Sequence, residues 1–106
     1  MAEAGIIIAS LLAMVPASVT AGITPERQAQ LEHMVIQDCG SCHGLTMKGG
    51  LGKPITPGAL AGQDPQALAA IILDGVPGTA MPPWRPLLTE AEALWIAEYL
   101  MEEKAE

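Results

Sequence analysis

The sequence predicts a small all-α domain, and three observations predict it. Helix-start signals recur along the chain, at Thr24-Pro25, Asp64-Pro65 and Thr89-Glu90-Ala91-Glu92. The segments between them are rich in Gly and Pro, which interrupt helices. No run of β-branched residues reads as a strand.

The elements follow in order. Thr24 is an N-cap with Pro25 at N1 and Glu26 in the first turn. The helix it opens runs to about Asp38, with Leu31, Met34 and Val35 bringing an apolar face toward Cys39. Next comes GLTMKGGLGKPITPGALAGQ, residues 44–63, which cannot sustain a long helix. Within it Thr56-Pro57 starts a single helical turn that ends at Gly62. Asp64-Pro65 repeats the N-cap and N1 pairing and opens a helix through Leu68, Ile71, Ile72 and Leu73, with Gly75 as its stop. Residues 75–88 are again loop. Thr89-Glu90-Ala91-Glu92 is a capping box, and it starts a last helix carrying Leu94, Trp95, Ile96, Tyr99 and Leu100. There is no internal repeat and no low-complexity tail.

The chemistry is concentrated in Cys39-Gly40-Ser41-Cys42-His43, a C-x-x-C-H sequence of the kind that attaches c-type haem. Two thiols on one helical turn can both reach the vinyl groups on one edge of a porphyrin and form thioethers. The residue after them then turns its imidazole to the iron. A redox disulfide or half a zinc site is the competing reading. Zinc would need two more ligands, and only His33 and carboxylates are on offer. A thioredoxin-like motif belongs near a βαβ pattern, and none is present. The expected cofactor is therefore one covalently attached haem c, on Cys39 and Cys42 with His43 as iron ligand.

Residues 5–19, GIIIASLLAMVPASV, form a short apolar stretch, and Val19-Thr20-Ala21 offers small residues for cleavage before Gly22. Residues 1–21 therefore read as a signal peptide and residues 22–106 as a monohaem domain. The stretch is short for a transmembrane helix, which needs about 20 apolar residues. Its n-region Met1-Ala2-Glu3-Ala4 lacks Lys and Arg, so an uncleaved membrane anchor is the alternative, and only then would the membrane be a partner. Either way the domain is delivered across a membrane. Haem attachment suits that route, because a free cysteine pair outside the cytosol tends to oxidise.

The 85 residues after the leader include no Phe, and their aromatic residues are Trp84, Trp95 and Tyr99. A chain this small buries little surface. A haem would supply the missing apolar body, so the chain without it is expected to fold poorly. Net charge is −7 and unevenly spread. Residues 44–88 carry Lys48, Lys53 and Arg85 against Asp64 and Asp74, a balance of +1, whereas the two terminal helical regions sum to −7. That charge disfavours nucleic acid and can orient the encounter with a redox partner. No H-E-x-x-H, P-loop or G-x-S-x-G is present, and the chain does not read as an enzyme.

This order of elements resembles the small bacterial class I cytochromes c, over residues 24–103. More closely, DCGSCHGLTMKGGLGKPITPGALAG and ILDGVPGTAMPPW are similar to the small periplasmic cytochromes c encoded beside cytochrome cd-type nitrite reductases in denitrifying bacteria. The resemblance implies a class I cytochrome c fold, with helices and Gly/Pro loops wrapped around one haem. It implies a periplasmic electron carrier, assembled by the cytochrome c maturation machinery. Its redox partner would be the nitrite reductase, or it would serve in maturing that enzyme's special haem.

The resemblance also bears on the second iron ligand. The family's axial Met occupies a loop just before a Pro, and Met81 in Gly78-Thr79-Ala80-Met81-Pro82-Pro83 matches it. A ligand for the opposite haem face must come from a segment distant from His43, and Pro82 and Pro83 would stiffen this one. Met34 and Met101 read as core fillers. Met47 follows His43 by only four residues, a poor position for the opposite face. His33 reads as a solvent-facing or packing residue, with bis-His ligation as the alternative. His/Met ligation leaves no vacant site and favours electron transfer. A haem sensor or ligand-binding protein, with an open or labile sixth site, is the alternative function.

Two departures from the family pattern stand out. His43 should donate its Nδ1–H to a carbonyl near a Gly-Pro, but here the phrase is Gly52-Lys53-Pro54, so either Lys53 or Pro54 could accept. The family's Gly eight residues before the first Cys is Leu31 here, so Trp95 and Tyr99 are expected at a wider or shifted helix crossing. Trp84 could cover the haem near Met81 or simply pack.

Overall fold

The computed structural model describes residues 22–102, together with Gly5. The leader expected over residues 1–21 otherwise lies outside the described residues. Four α-helices are present among them: α1 (Pro25–Met34), α2 (Gly40–His43), α3 (Pro65–Asp74) and α4 (Glu90–Met101), with no strand. Each long helix starts where its cap requires. Thr24 accepts from Arg27 N–H, Asp64 accepts from Gln66 N–H, and both are followed by Pro. Thr89 and Glu92 form both halves of the capping box. α3 stops at Gly75, whose φ of +67° lies in the left-handed region. The single turn after Thr56 is also formed, with Leu60 N–H donating to Thr56 O at 3.0 Å and Ala59 N–H to Thr56 Oγ1 at 3.3 Å.

The first helix differs from the expectation that it ends near Asp38. Val35–Cys39 form a π-helical turn, and the chain passes through it from α1 into α2 without a break. Gly40 N–H donates to Val35 O, five residues back. Helical periodicity in the sequence continues smoothly there, so it offers no sign of the extra residue. The wider turn sets the rotational phase of α2 relative to α1. Leu31 and Val35 face the core, Ile36 is exposed, and Gly40 is buried again.

The core is built from short and medium aliphatic side chains. It joins Leu31 and Val35 to Leu68, Ile72 and Leu73 of α3 and to Ala93, Ile96, Ala97 and Leu100 of α4, with Met47, Leu60 and Leu88 from the loops. α3 packs along α4, and α1 also meets α4. No aromatic residue is fully buried; Trp84, Trp95 and Tyr99 are half-buried against this core. Leu31 is wholly buried, and the short side chains sit on α4 instead, at Ala93 and Ala97. Trp95 and Tyr99 stack on each other with centroids 5.2 Å apart, on the flank of α1 beside Gln28 and Glu32. Burial, and the nearby Glu32 charge, push the Tyr99 hydroxyl above its ordinary pKa.

One polar clamp joins the starts of α1 and α4. Glu92 uses Oε1 to accept from Thr89 N–H at 3.0 Å and Oε2 to accept from Arg27 Nε. Arg27 also reaches Leu87 O at 3.5 Å. The bond from Arg27 holds the Glu92 carboxyl below the usual range despite its partial burial. Glu92→Ala removes the ion pair and half the capping box, and should cost the holoprotein about 1–2 kcal/mol, read as a lower thermal midpoint. A carboxylate with a lowered folded pKa contributes fully above its unfolded pKa and loses that contribution as pH falls through the folded value. Thermal midpoints of wild type and variant should therefore converge in acid and separate toward neutral pH.

Candidate haem site

The C-x-x-C-H sequence lies at the junction of the π turn and α2. Cys39 ends the π turn, Cys42 and His43 close α2, and all three are half-buried. Both thiols are free. Burial, with the Asp38 charge second, pushes the Cys39 thiol up to about 11, so it stays protonated at neutral pH. Among the described residues no group of three or more His, Cys, Asp or Glu is arranged to hold a metal ion.

α2 is too short to hold His43 by itself, and the glycine-rich loop does so. The loop folds back over the helix end, where carbonyls have no helical partner. Gly52 N–H donates to Cys42 O at 2.7 Å, and Gly49 N–H donates to His43 O at 2.7 Å. His43 Nδ1 lies 2.7 Å from Lys53 O. A carbonyl oxygen can only accept, so Nδ1 carries the proton and Nε2 is left with its lone pair free. Lys53, rather than Pro54, is thus the acceptor. That hydrogen bond fixes the ring and increases its donor strength toward a metal.

Two glycines explain why the loop has this composition. A Cβ at Gly52 would lie 2.7 Å from both Cε1 and Nδ1 of His43, so only glycine lets the backbone pass against the imidazole. Gly44 turns the chain out of α2 with φ +90°, and a Cβ there would lie 2.5 Å from Gly49 O. Met47 sits within this loop at φ +61°, 2 % exposed, with Ile55 N–H bonded to its carbonyl at 2.9 Å. Its methyl group lies near Gly40. It is a core residue under α2.

Met81 sits on a separate loop that follows α3. Val76 N–H donates to Met81 O at 3.2 Å, and Met81 N–H donates to Thr79 Oγ1 at 3.3 Å. Thr79 Oγ1 donates in turn to Val76 O at 2.7 Å. Further along, Trp84 N–H bonds to Ile72 O and Arg85 N–H to Leu73 O, at 3.1 and 3.0 Å. The loop is therefore laced to the C-terminal end of α3, and a Cβ at Gly75 would strike Met81 O at 2.6 Å. Thr79 and Gly75 were not distinguishable as supports from sequence, because each role depends on how the loop folds onto α3. Met81 is half-buried and His33 is exposed on α1.

The donor set fits a haem. Two free thiols and an imidazole with a bare Nε2 share one helix end, and a thioether is held on a separate, laced loop. A helical fold closed over a C-x-x-C-H defines a small c-type cytochrome. The comparisons agree. Residues 26–100 match the family described as cytochrome C oxidase, cbb3-type, subunit III. The chain is 57% identical over 101 residues to cytochrome c55X of Paracoccus denitrificans (strain Pd 1222), a match covering 93% of this chain and 97% of the relative. It is 47% identical over 98 residues to cytochrome c55X of Stutzerimonas stutzeri, covering 92% and 86%. The solved structure of the c-type cytochrome NirC superposes with a TM-score of 0.75 at 49% identity, covering 77% of this chain and 96% of that one. Dihydro-heme d1 dehydrogenase NirN, solved in complex with DHE, superposes with a TM-score of 0.62 at 32% identity, over 67% of this chain and 15% of NirN. The chain belongs to the c-type cytochrome family, whose members are electron carriers with covalently bound haem c, and within it is similar to the cytochromes c55X.

Gly52→Ala tests the loop's role. The added methyl must push Lys53 O away from His43 or tilt the ring. The variant should attach haem in lower yield and, where attached, show a raised potential, because a weaker bond at Nδ1 reduces imidazole donation. Gly58→Ala, where a Cβ meets nothing within 4 Å, should change neither. Potentiometric titration of the two holoproteins makes the comparison.

Proposed function

We propose that residues 22–106 form a periplasmic single-haem electron carrier of the nitrite reductase system. Cys39 and Cys42 would tether one haem c, and His43 Nε2 and Met81 Sδ would hold its iron. Residues 1–21 act as the export leader. A haem c held there supplies one-electron exchange between ferric and ferrous iron. His43 is kept in a single tautomer by Lys53 O, so it donates from Nε2 in both redox states. The laced Met81 loop offers its thioether with little entropy left to lose. Ligands that stay in place across oxidation keep reorganisation small, and a soft sulfur ligand favours the ferrous state.

The observation that carries this reading is the imidazole with its Nδ1–H committed to a backbone carbonyl. A redox disulfide has no use for that arrangement beside two thiols. The place in the nitrite reductase system is supported by likeness to NirC and to the haem-handling NirN. That second likeness also favours service as electron donor or acceptor in maturing the reductase's haem. A sensor with an open sixth site is the competing class. A visible spectrum and redox titration of the exported holoprotein separate the two, since only Met–iron ligation gives the far-red ferric charge-transfer band.

Met81→Ala should abolish that band, lower the potential and let cyanide or CO bind readily. Met47→Ala should keep the band and the potential, while destabilising the protein by about 2–4 kcal/mol through the cavity it leaves. The reverse pattern would assign the ligand to Met47.

A further inference from the structure

We propose that the loop of residues 44–54 is the docking surface for electron exchange, and that its partner is a redox protein presenting an apolar patch ringed by carboxylates. The inference rests on the electron-carrier reading above and specifies which face acts. Leu51 is 96% exposed and Leu45 69%. A scattered exposed Leu is ordinary, but the setting of Leu51 is not. Its neighbours Gly50 and Gly52 both face inward. A Cβ on the first would lie 2.7 Å from Cys42 O, and on the second 2.7 Å from the His43 ring. Leu51 therefore projects to the outer side of the loop.

The loop is also rigid. Bonds from Gly49 to His43 O, Gly50 to Gly52 O, Gly52 to Cys42 O and Ile55 to Met47 O pin it along its length. A fixed apolar tip loses little conformational freedom on docking.

Charge selects the partner. The chain carries −7 overall, yet this loop carries Lys48 and Lys53 and no acid. Both lysines are exposed, and neither makes an ion pair among the described residues. Arg85, the other cation of the loop regions, is taken up by Asp74 at 2.8 Å and Glu90 at 3.7 Å. The sequence-level grouping of Arg85 with the two lysines is thereby narrowed. Within residues 44–88, free positive charge is confined to the Leu51 loop, so an anionic partner is steered there. Lys53 supplies the carbonyl bonded to His43. The docked loop thus touches the proximal ligand directly. One electron passes from the reduced cytochrome to the oxidised partner, with no bond broken and no proton moved.

The test uses reduced and oxidised holoprotein on gold electrodes coated with alkanethiols. One coating is carboxylate-terminated, and the other mixes carboxylate and methyl ends, which reproduces the proposed partner's chemistry. Leu51→Ser should reduce electroactive coverage on the mixed coating about fivefold and leave it unchanged on pure carboxylate. Lys48→Gln should lose signal on both, and Arg85→Gln on neither. Potentials and helical circular dichroism should match wild type throughout, so a merely structural effect would be visible. Stopped-flow transfer to purified cytochrome cd-type nitrite reductase forms the second arm, where the Leu51 and Lys48 variants should slow. Unchanged coverage on the mixed coating overturns the docking surface. So does unchanged transfer from both variants to a reductase that wild type does reduce. If the electrode results hold but wild type passes no electrons to the reductase, the surface stands and the nitrite reductase assignment falls.

Discussion

The structure depends on one constraint: a four-residue helix must present His43 in a single orientation. A helix that short has no stability of its own. It is extended backward through the π turn into α1 and forward into a loop that returns to cap it. The bond from His43 Nδ1–H to Lys53 O completes the arrangement. Everything notable about the loop follows from bringing that carbonyl to that nitrogen. The glycines are there because the backbone passes within contact distance of a ring and a helix end. Met47 is buried because it fills the space beneath the same loop.

The core and the site share a second dependence. No aromatic side chain is fully buried, and the two wholly buried positions on α4 that are smallest are alanines. Leu31 on α1 is wholly buried, as are Ala93 and Ala97 on α4, and Trp95 and Tyr99 stack beside Gln28 and Glu32. A core of this kind is modest in apolar area, so a covalently held haem would contribute packing as well as chemistry. The Arg27–Glu92 clamp ties α1 to α4 at the end away from α2, by polar rather than apolar contact.

Much of the fold was legible in the sequence because its boundaries are local chemistry. Thr24-Pro25, Asp64-Pro65, the Thr89–Glu92 box and Gly75 each act within a few residues, and the structure places caps at all four. The C-x-x-C-H sequence is local in the same sense, and the structure sets Cys39, Cys42 and His43 at the junction of the π turn and α2. The π turn was not, because it changes hydrogen-bond register without changing the apolar pattern. The acceptor for His43 stayed open between Lys53 and Pro54, since a single inserted residue decides it and only the folded loop shows which carbonyl faces the ring. The pairing of Arg85 with Asp74 and Glu90 joins residues whose proximity depends on how the loop folds onto α3. Charge counted along the sequence therefore gives the balance of these loops but not which cations are paired, Arg85 being so and Lys48 and Lys53 not, among the described residues.

The central claim is that Lys53 O holds His43 with its proton on Nδ1 and its lone pair on Nε2. Proton NMR of ferrous holoprotein labelled with 15N-histidine tests it most directly. The account predicts a slowly exchanging His43 Nδ1–H with a nuclear Overhauser contact to Lys53 or Pro54. A His43 ring proton found on Nε2, or an Nδ1–H exchanging freely with solvent, would contradict it.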